Sequence, residues 1–283
     1  MNYIDLAEVY EKIENTSKRL EKTDIVQEFL KKVNAKELST IIHLLQGKIF
    51  TANDEREVGM SSKILLKAVA KATGENPLAV EKLWSREGDM GLAAQKLIET
   101  KKQRTLFSQN LTVNKVITNL QKLAAMTGEG TVNKKVDLVA ELLTSATPLE
   151  AKFLCRTVTG ELRAGVGAGV LRESLVWAYL PRVLGINTEE KKGKVLEAKN
   201  IESLKHIEKY GTIVAPDDKI ARELYDYISA TVQRAYDLTN DFADVAEILM
   251  EKGFDALKDV LLSPGKPIKV MLYEKAENIK DAF

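Results

Sequence analysis

The chain has 283 residues, 45% of them hydrophobic and 29% charged, with a net charge of +1. That is enough apolar material for a sizeable core, as one large domain or two small ones. No apolar run nears the roughly 18 residues of a membrane span, and a lone cysteine, Cys155, excludes an internal disulfide and fits a reducing cytoplasm.

The opening residues, MNYIDLAEVYEKIENTSKRLEK, are amphipathic and acid-containing, which argues against a signal or transit peptide. Helical periodicity then runs almost throughout. Residues 63–73 carry Ile64, Leu65, Ala68, Val69 and Ala72 on one face, and Gly74 closes that helix. Asn76-Pro77 reads as the cap and first position of the next. Residues 112–127 end at Gly128, and 245–252 end at Gly253. Thr147-Pro148-Leu149-Glu150 is a capping box with proline at the first helical position. Only residues 266–275 (KPIKVMLYEK) read as a strand. The expected architecture is all-α, a helical domain over 1–263 followed by a linker and the start of another domain over 264–283.

Two histidines far apart, His43 and His206, offer no zinc site. Charge is unevenly spread. Between Lys96 and Asp137 lysines and arginines outnumber acids, and they do so again between Lys152 and Arg182, whereas acids dominate from Asp217 to Asp259. A basic middle with an acidic end points to one polyanion-binding face hidden by the average.

The most informative stretch, EAKFLCRTVTGELRAGVGAGVLRESLVWAY from Glu150 to Tyr179, reads as helix, glycine-rich connection, helix. Gly160, Gly165, Gly167 and Gly169 suit a backbone that approaches something closely or turns left-handed. The second helix opens with free N–H groups, and Arg156 and Arg163 flank the connection. No Gly-Lys-Ser/Thr follows, so it is not a nucleotide-binding P-loop. Either the connection grips phosphates, or it is a tight helix–helix turn with incidental arginines. There is also an internal echo. Trp84 with Gly88-Asp89-Met90-Gly91 resembles Tyr236 with Asn240-Asp241-Phe242-Ala243. Either a helical unit is duplicated into two pseudo-symmetric halves, or two capped amphipathic helices simply look alike.

The run from Arg156 to Gly167, RTVTGELRAGVG, resembles the signature of the DNA-binding domain of archaeal and eukaryotic ATP-dependent DNA ligases. The segment SPGKPIKVML from Ser263 resembles the link from that domain to the nucleotidyltransferase domain. The resemblance implies an all-helical domain that grips the minor groove on both sides of a nick, mainly through phosphates. By it Gly160, Arg163, Gly165 and Gly167, with Arg156 and Thr157 beside them, meet the DNA backbone. Residues 128–135, with Thr131, Lys134 and Lys135, resemble a second phosphate-contacting loop. The family often has a basic residue where this chain has Glu161.

The family's adenylated lysine lies in a Lys-x-Asp-Gly motif that this sequence lacks. The resemblance therefore implies no catalytic residue and no cofactor here. ATP and magnesium would serve the nucleotidyltransferase and OB-fold domains of the full-length ligase. Gln103, Leu106 and Phe107 in KKQRTLF resemble the peptide by which archaeal ligases hook onto the sliding clamp. The expected partners are thus nicked double-stranded DNA, the clamp and the other ligase domains, and no membrane. Two rival readings remain, a helical protein-interaction scaffold and a non-ligase DNA-repair module.

Overall fold

The computed structural model describes residues 1–51, 54, 56, 58, 60–100, 110–126, 128, 130–185 and 191–262. The candidate clamp peptide and residues 264–283 fall outside them. Six helices come first: α1 (Tyr3–Glu14), α2 (Arg19–Leu30), α3 (Ala35–Leu45), α4 (Ser62–Thr73), α5 (Pro77–Glu87) and α6 (Met90–Glu99). Six more follow in the same order: α7 (Val113–Ala125), α8 (Thr131–Ser145), α9 (Pro148–Thr159), α10 (Ala168–Tyr179), α11 (Asp218–Thr239) and α12 (Phe242–Lys252), with a short α13 (Asp255–Lys258). The predominantly helical expectation holds.

Local chemistry sets the helix ends. Asn34 and Thr147 each accept a hydrogen bond from the N–H of a glutamate at the third helical position, Glu37 and Glu150. Gly74, Gly88 and Gly160 close α4, α5 and α9 in the left-handed region, where a side chain is strained. The apolar stripes these caps align meet in one core that draws on every long helix, with Tyr3, Tyr10, Phe153 and Phe242 fully buried.

The echo is structural. The packing of α6 on α9 is answered by α12 on α3, that of α4 on α8 by α10 on α2, and that of α5 on α6 by α11 on α12. The halves are therefore interlocked, each laying helices on the other's. Where they begin, Tyr3 N–H donates to the Leu111 carbonyl (2.7 Å) and Val113 N–H to the Met1 carbonyl (3.1 Å). That antiparallel bridge between Asn2 and Thr112 lies where a two-fold relation between the halves would put it.

The halves differ most in one connection. Gly74, Glu75 and Asn76 join α4 to α5, whereas residues 180–217 join α10 to α11. That longer connection holds a parallel sheet, β1 (Arg182–Leu184), β2 (Val195–Glu197) and β3 (Thr212–Val214), in the order β1-β3-β2. Arg182 and Val195 both pair with Thr212. The sequence reading placed no strand there. Three-residue strands are too short to show alternation, and their pairing is made only by the fold.

Candidate nucleic-acid interface

The connection after α9 alternates its sides although it bends at Arg163. Leu162, Ala164 and Val166 are buried, while Glu161, Arg163, Gly165 and Gly167 are exposed. The apolar members anchor it against the end of α3: Val166 N–H donates to the Leu45 carbonyl (2.9 Å), and Leu162 lies against Gly47. What remains outside is an edge that carries the Glu161 and Arg163 side chains and then leaves its backbone bare at Gly165 and Gly167. Gly160 is left-handed (φ 74°), whereas Gly165 and Gly167 are not. A Cβ at Gly160 or Gly167 would meet nothing within 4 Å, and one at Gly165 only the Gln46 carbonyl at 3.9 Å. Packing does not require glycine at 165 or 167.

Arg163 is the cationic member of this edge. It holds φ 55°, a conformation that costs a non-glycine residue about 1 kcal/mol or more and gathers at functional sites. Its guanidinium is half exposed and loosely held, 3.3 Å from Asp89, 3.4 Å from Glu161 and 3.5 Å from the Gly88 carbonyl. Such long contacts leave it able to turn outward.

Arg156 and Thr157 sit differently from what the sequence suggested. Arg156 is 4% exposed; its Nε and Nη2 both donate to one Asp89 oxygen (2.9 and 2.7 Å), and its Nη1 to Glu14 (3.0 Å). Lys152, also buried, donates to the other Glu14 oxygen (2.6 Å). The hydroxyl of Thr157 donates to the Phe153 carbonyl within α9. Both residues lie on the inward face of the helix, and their polar groups are bonded within the fold. Helical phase decides this, and a list of residues flanking a motif ignores phase.

Asp89 ties the region together. One oxygen caps α6 by accepting from Gly91 and Leu92 N–H, and the other takes Arg156. Burial pushes its carboxyl up, but the hydrogen bonds and charge of Arg156 and the two amides outweigh that and hold it below the ordinary aspartate range. Asp241 repeats the device in the second half. It caps α12 through Ala243 N–H and reaches His43 on α3 (2.7 Å), and there too burial is outweighed, first by the His43 hydrogen bond. His43 and Arg156 occupy the same position in α3 and α9, counted back from Gly47 and Gly160, so each half pins the other half's helix.

These shifts fix an acid response. For Asp89, Asp241 and the likewise depressed Glu14, the stabilisation is complete above their unfolded values near pH 4 and is lost as pH falls through the folded ones. Glu150, raised by burial, has the opposite sign and offsets part of the loss. Melting temperatures should fall steeply from about pH 5 to about pH 3, and a flat profile there would contradict the pairing.

The repeat also reveals a turn that sequence reasoning missed. After α3, Gly47 (φ 74°) matches Gly160, exposed Lys48 matches Glu161, and buried Ile49 matches Leu162. A cleft of about 870 Å³ runs between this turn and the end of α9, lined by Lys48, Phe50, Arg56 and Gly160 among others, with Arg56 4.6 Å above the Phe50 ring. The signal was present in sequence as cap, glutamate at the third position and closing glycine, at equal spacing in 34–47 and 147–160. The other expected loop, with Thr131, Lys134 and Lys135, opens α8 after a left-handed Gly130. Lys134 is exposed, and the Thr131 hydroxyl donates to the Gly128 carbonyl (2.9 Å). Because α8 packs on α4, this loop belongs with the turn after α3, not with the glycine edge.

No group of histidine, cysteine or acid suited to a metal occurs among the described residues, and no helix there is long and apolar enough to cross a membrane. Two interlocked helical halves, one carrying the glycine edge and the other the matching turn, define a predominantly helical domain with an internal repeat. Comparison with known proteins gives the family. Residues 2–176 match the model of the DNA ligase N terminus. Over its whole length the chain is 37% identical to a DNA ligase of Methanosphaera stadtmanae and 33% identical to one of Thermococcus onnurineus. It is 30% identical to a DNA ligase of Nanoarchaeum equitans. It spans 43%, 42% and 42% of their respective lengths. The chain belongs to the DNA ligase N-terminus family.

Proposed function

We propose that this chain is the DNA-gripping part of an ATP-dependent DNA ligase of archaeal type, holding nicked duplex by its backbone phosphates. The observation that carries this reading is the exposed edge Gly160, Arg163, Gly165 and Gly167, on which Gly165 and Gly167 have neither a packing contact nor a left-handed backbone that calls for glycine. Amide groups and a guanidinium on such an edge suit phosphate oxygens and carry no base code, so binding should be nearly independent of sequence. The matching turn with Lys48 and Arg56 gives a second contact related to the first as the two strands of a duplex are related. Residues 131–135 extend that second contact.

The full ligase would join a 5′-phosphate to a 3′-hydroxyl in replication and repair, with ATP and magnesium serving domains other than this one. Gln103, Leu106 and Phe107, outside the described residues, would dock the sliding clamp. The salt dependence of duplex binding separates this reading from a protein-interaction scaffold.

Affinity near physiological salt should lie around 10⁻⁴ to 10⁻⁶ M and fall steeply as salt rises. Arg163→Ala should weaken every duplex about tenfold or more, the size of a charge-assisted contact of roughly 1.5–3 kcal/mol, and lower the salt slope by about one. Gly165→Val should block binding with the fold intact, because a side chain has room there in the free protein. Two normal binders, or a slope that ignores Arg163, would defeat the reading.

A further inference from the structure

The connection between α10 and α11 enlarges one half only, so the paired helices of the repeat do not account for it. Its sheet follows the end of α10, a helix of 12 residues, and so stands roughly 18 Å from the glycine edge at the start of that helix. The outer strand β2 is held firmly from within. Lys192 N–H donates to the Thr212 hydroxyl (2.9 Å), which donates back to the Lys192 carbonyl (2.8 Å). Gly211 N–H donates to the Lys194 carbonyl (2.9 Å), and Ala198 N–H to the Val214 carbonyl (3.0 Å). Glycine permits that closeness, since a Cβ on Gly211 would come within 2.2 Å of the Lys192 carbonyl oxygen.

The same bonds fix which way the outer edge faces. Lys194, Leu196 and Ala198 turn their backbone groups toward β3, so those of Val195 and Glu197 turn away from it. Both residues are exposed, Val195 by 37%, and their outward backbone groups bond nothing among the described residues. Such an edge is a template for another strand. Its surroundings are basic: residues 191–199 carry Lys191, Lys192, Lys194 and Lys199 against Glu197 alone. All four lysines are exposed, and none has an ion-pair partner among the described residues. Lysines by themselves can guard an edge against self-pairing. That role does not explain why Val195 and Ile201, the latter 42% exposed, stand uncovered beside them.

We infer that the outer edge of β2 is a docking site for an extended acidic segment of a partner protein, which adds a fourth strand to the three-stranded sheet. Main-chain pairing with Val195 and Glu197 holds the segment, and its carboxylates lie among the four lysines, which select for acidic partners. An apolar residue between the carboxylates covers Val195. Duplex DNA suits this edge poorly, because a phosphate cannot donate to the outward carbonyl oxygens and Glu197 repels it. The inference stands apart from the duplex-gripping reading. A partner held here leaves the glycine edge open.

The test is fluorescence anisotropy of a labelled peptide of alternating glutamate and valine against the whole chain, with an alternating lysine and valine peptide of equal length as control. The acidic peptide alone should bind saturably, and the triple variant Lys191→Glu, Lys192→Glu, Lys199→Glu should weaken it about fivefold or more. Val195→Pro removes an outward N–H that the fold does not use, so it should weaken the peptide about fivefold at an unchanged melting temperature. Should proline disturb the sheet, the parent chain is titrated with the same peptide N-methylated at alternate residues, which cannot pair as a strand and should not bind. No saturable binding of the acidic peptide, or binding indifferent to Val195→Pro and to N-methylation, would overturn the inference. So would a triple variant that keeps the peptide and loses only nicked duplex, which would make the lysines a nucleic-acid surface.

Discussion

Arg156→Ala is expected to destabilise the protein by about 3–5 kcal/mol, because it strands a buried carboxylate. Asp89 is 4% exposed and would keep only its amide donors and the distant Arg163, while Glu14 would keep Lys152 but lose its second cation. Removing one partner of such a group costs far more than the intact pair contributes, since the remaining charge has left water without compensation. Urea unfolding should show a midpoint shift at constant slope. Arg163→Ala, although it removes the same side-chain type from the same motif, should stay within about half a kcal/mol of the parent, because that guanidinium is half exposed and loosely paired. Equal stability losses in the two variants would show that burial does not separate their roles.

Gly91→Val should open the contact between α6 and α9. A Cβ at Gly91 would come within 2.5 Å of the Lys152 carbonyl oxygen and 2.9 Å of the Arg156 Cγ. The first of these is helix backbone, which cannot turn aside as a side-chain tip can, so the helices must separate. Overpacking of this kind costs about 1–3 kcal/mol. The extra bulk of valine should place it at the upper end, against a gain of less than about 1 kcal/mol from replacing glycine in a helix. The corresponding position in α12 is Ala243, so the constraint belongs to this contact and not to the repeated architecture. A thermal melt of Gly91→Val at or above the parent value would mean that α6 shifts freely over α9.

The helices and their ends were legible in the sequence because they are local. The box Thr147-Pro148-Leu149-Glu150, the glycine closures and the apolar stripes each act within a turn or two of chain. The glycine edge was legible for the same reason. It reads there as a glycine-rich connection between two helices; the alternation of buried Leu162, Ala164 and Val166 with exposed Glu161, Arg163, Gly165 and Gly167 comes from the fold. The echo around Asp89 and Asp241 was visible too, but only as two similar helix starts.

What those aspartates do was decided by the fold. Each is a helix cap by sequence, and each also bonds a side chain on a helix of the opposite half, Asp89 holding Arg156 and Asp241 holding His43. The assignment of Arg156 to the fold and of Arg163 to the surface follows from helical phase and from α6 and α1 covering one side of α9, neither of which flanking sequence specifies. The three short strands exist only because residues 180–217 return beside themselves. Sequence by itself determined which segments are helical and which stretch leaves its backbone bare, since both are written in local spacing. Tertiary structure decided which charges face inward and which reach that bare edge, because a charge is buried or exposed by what packs over it.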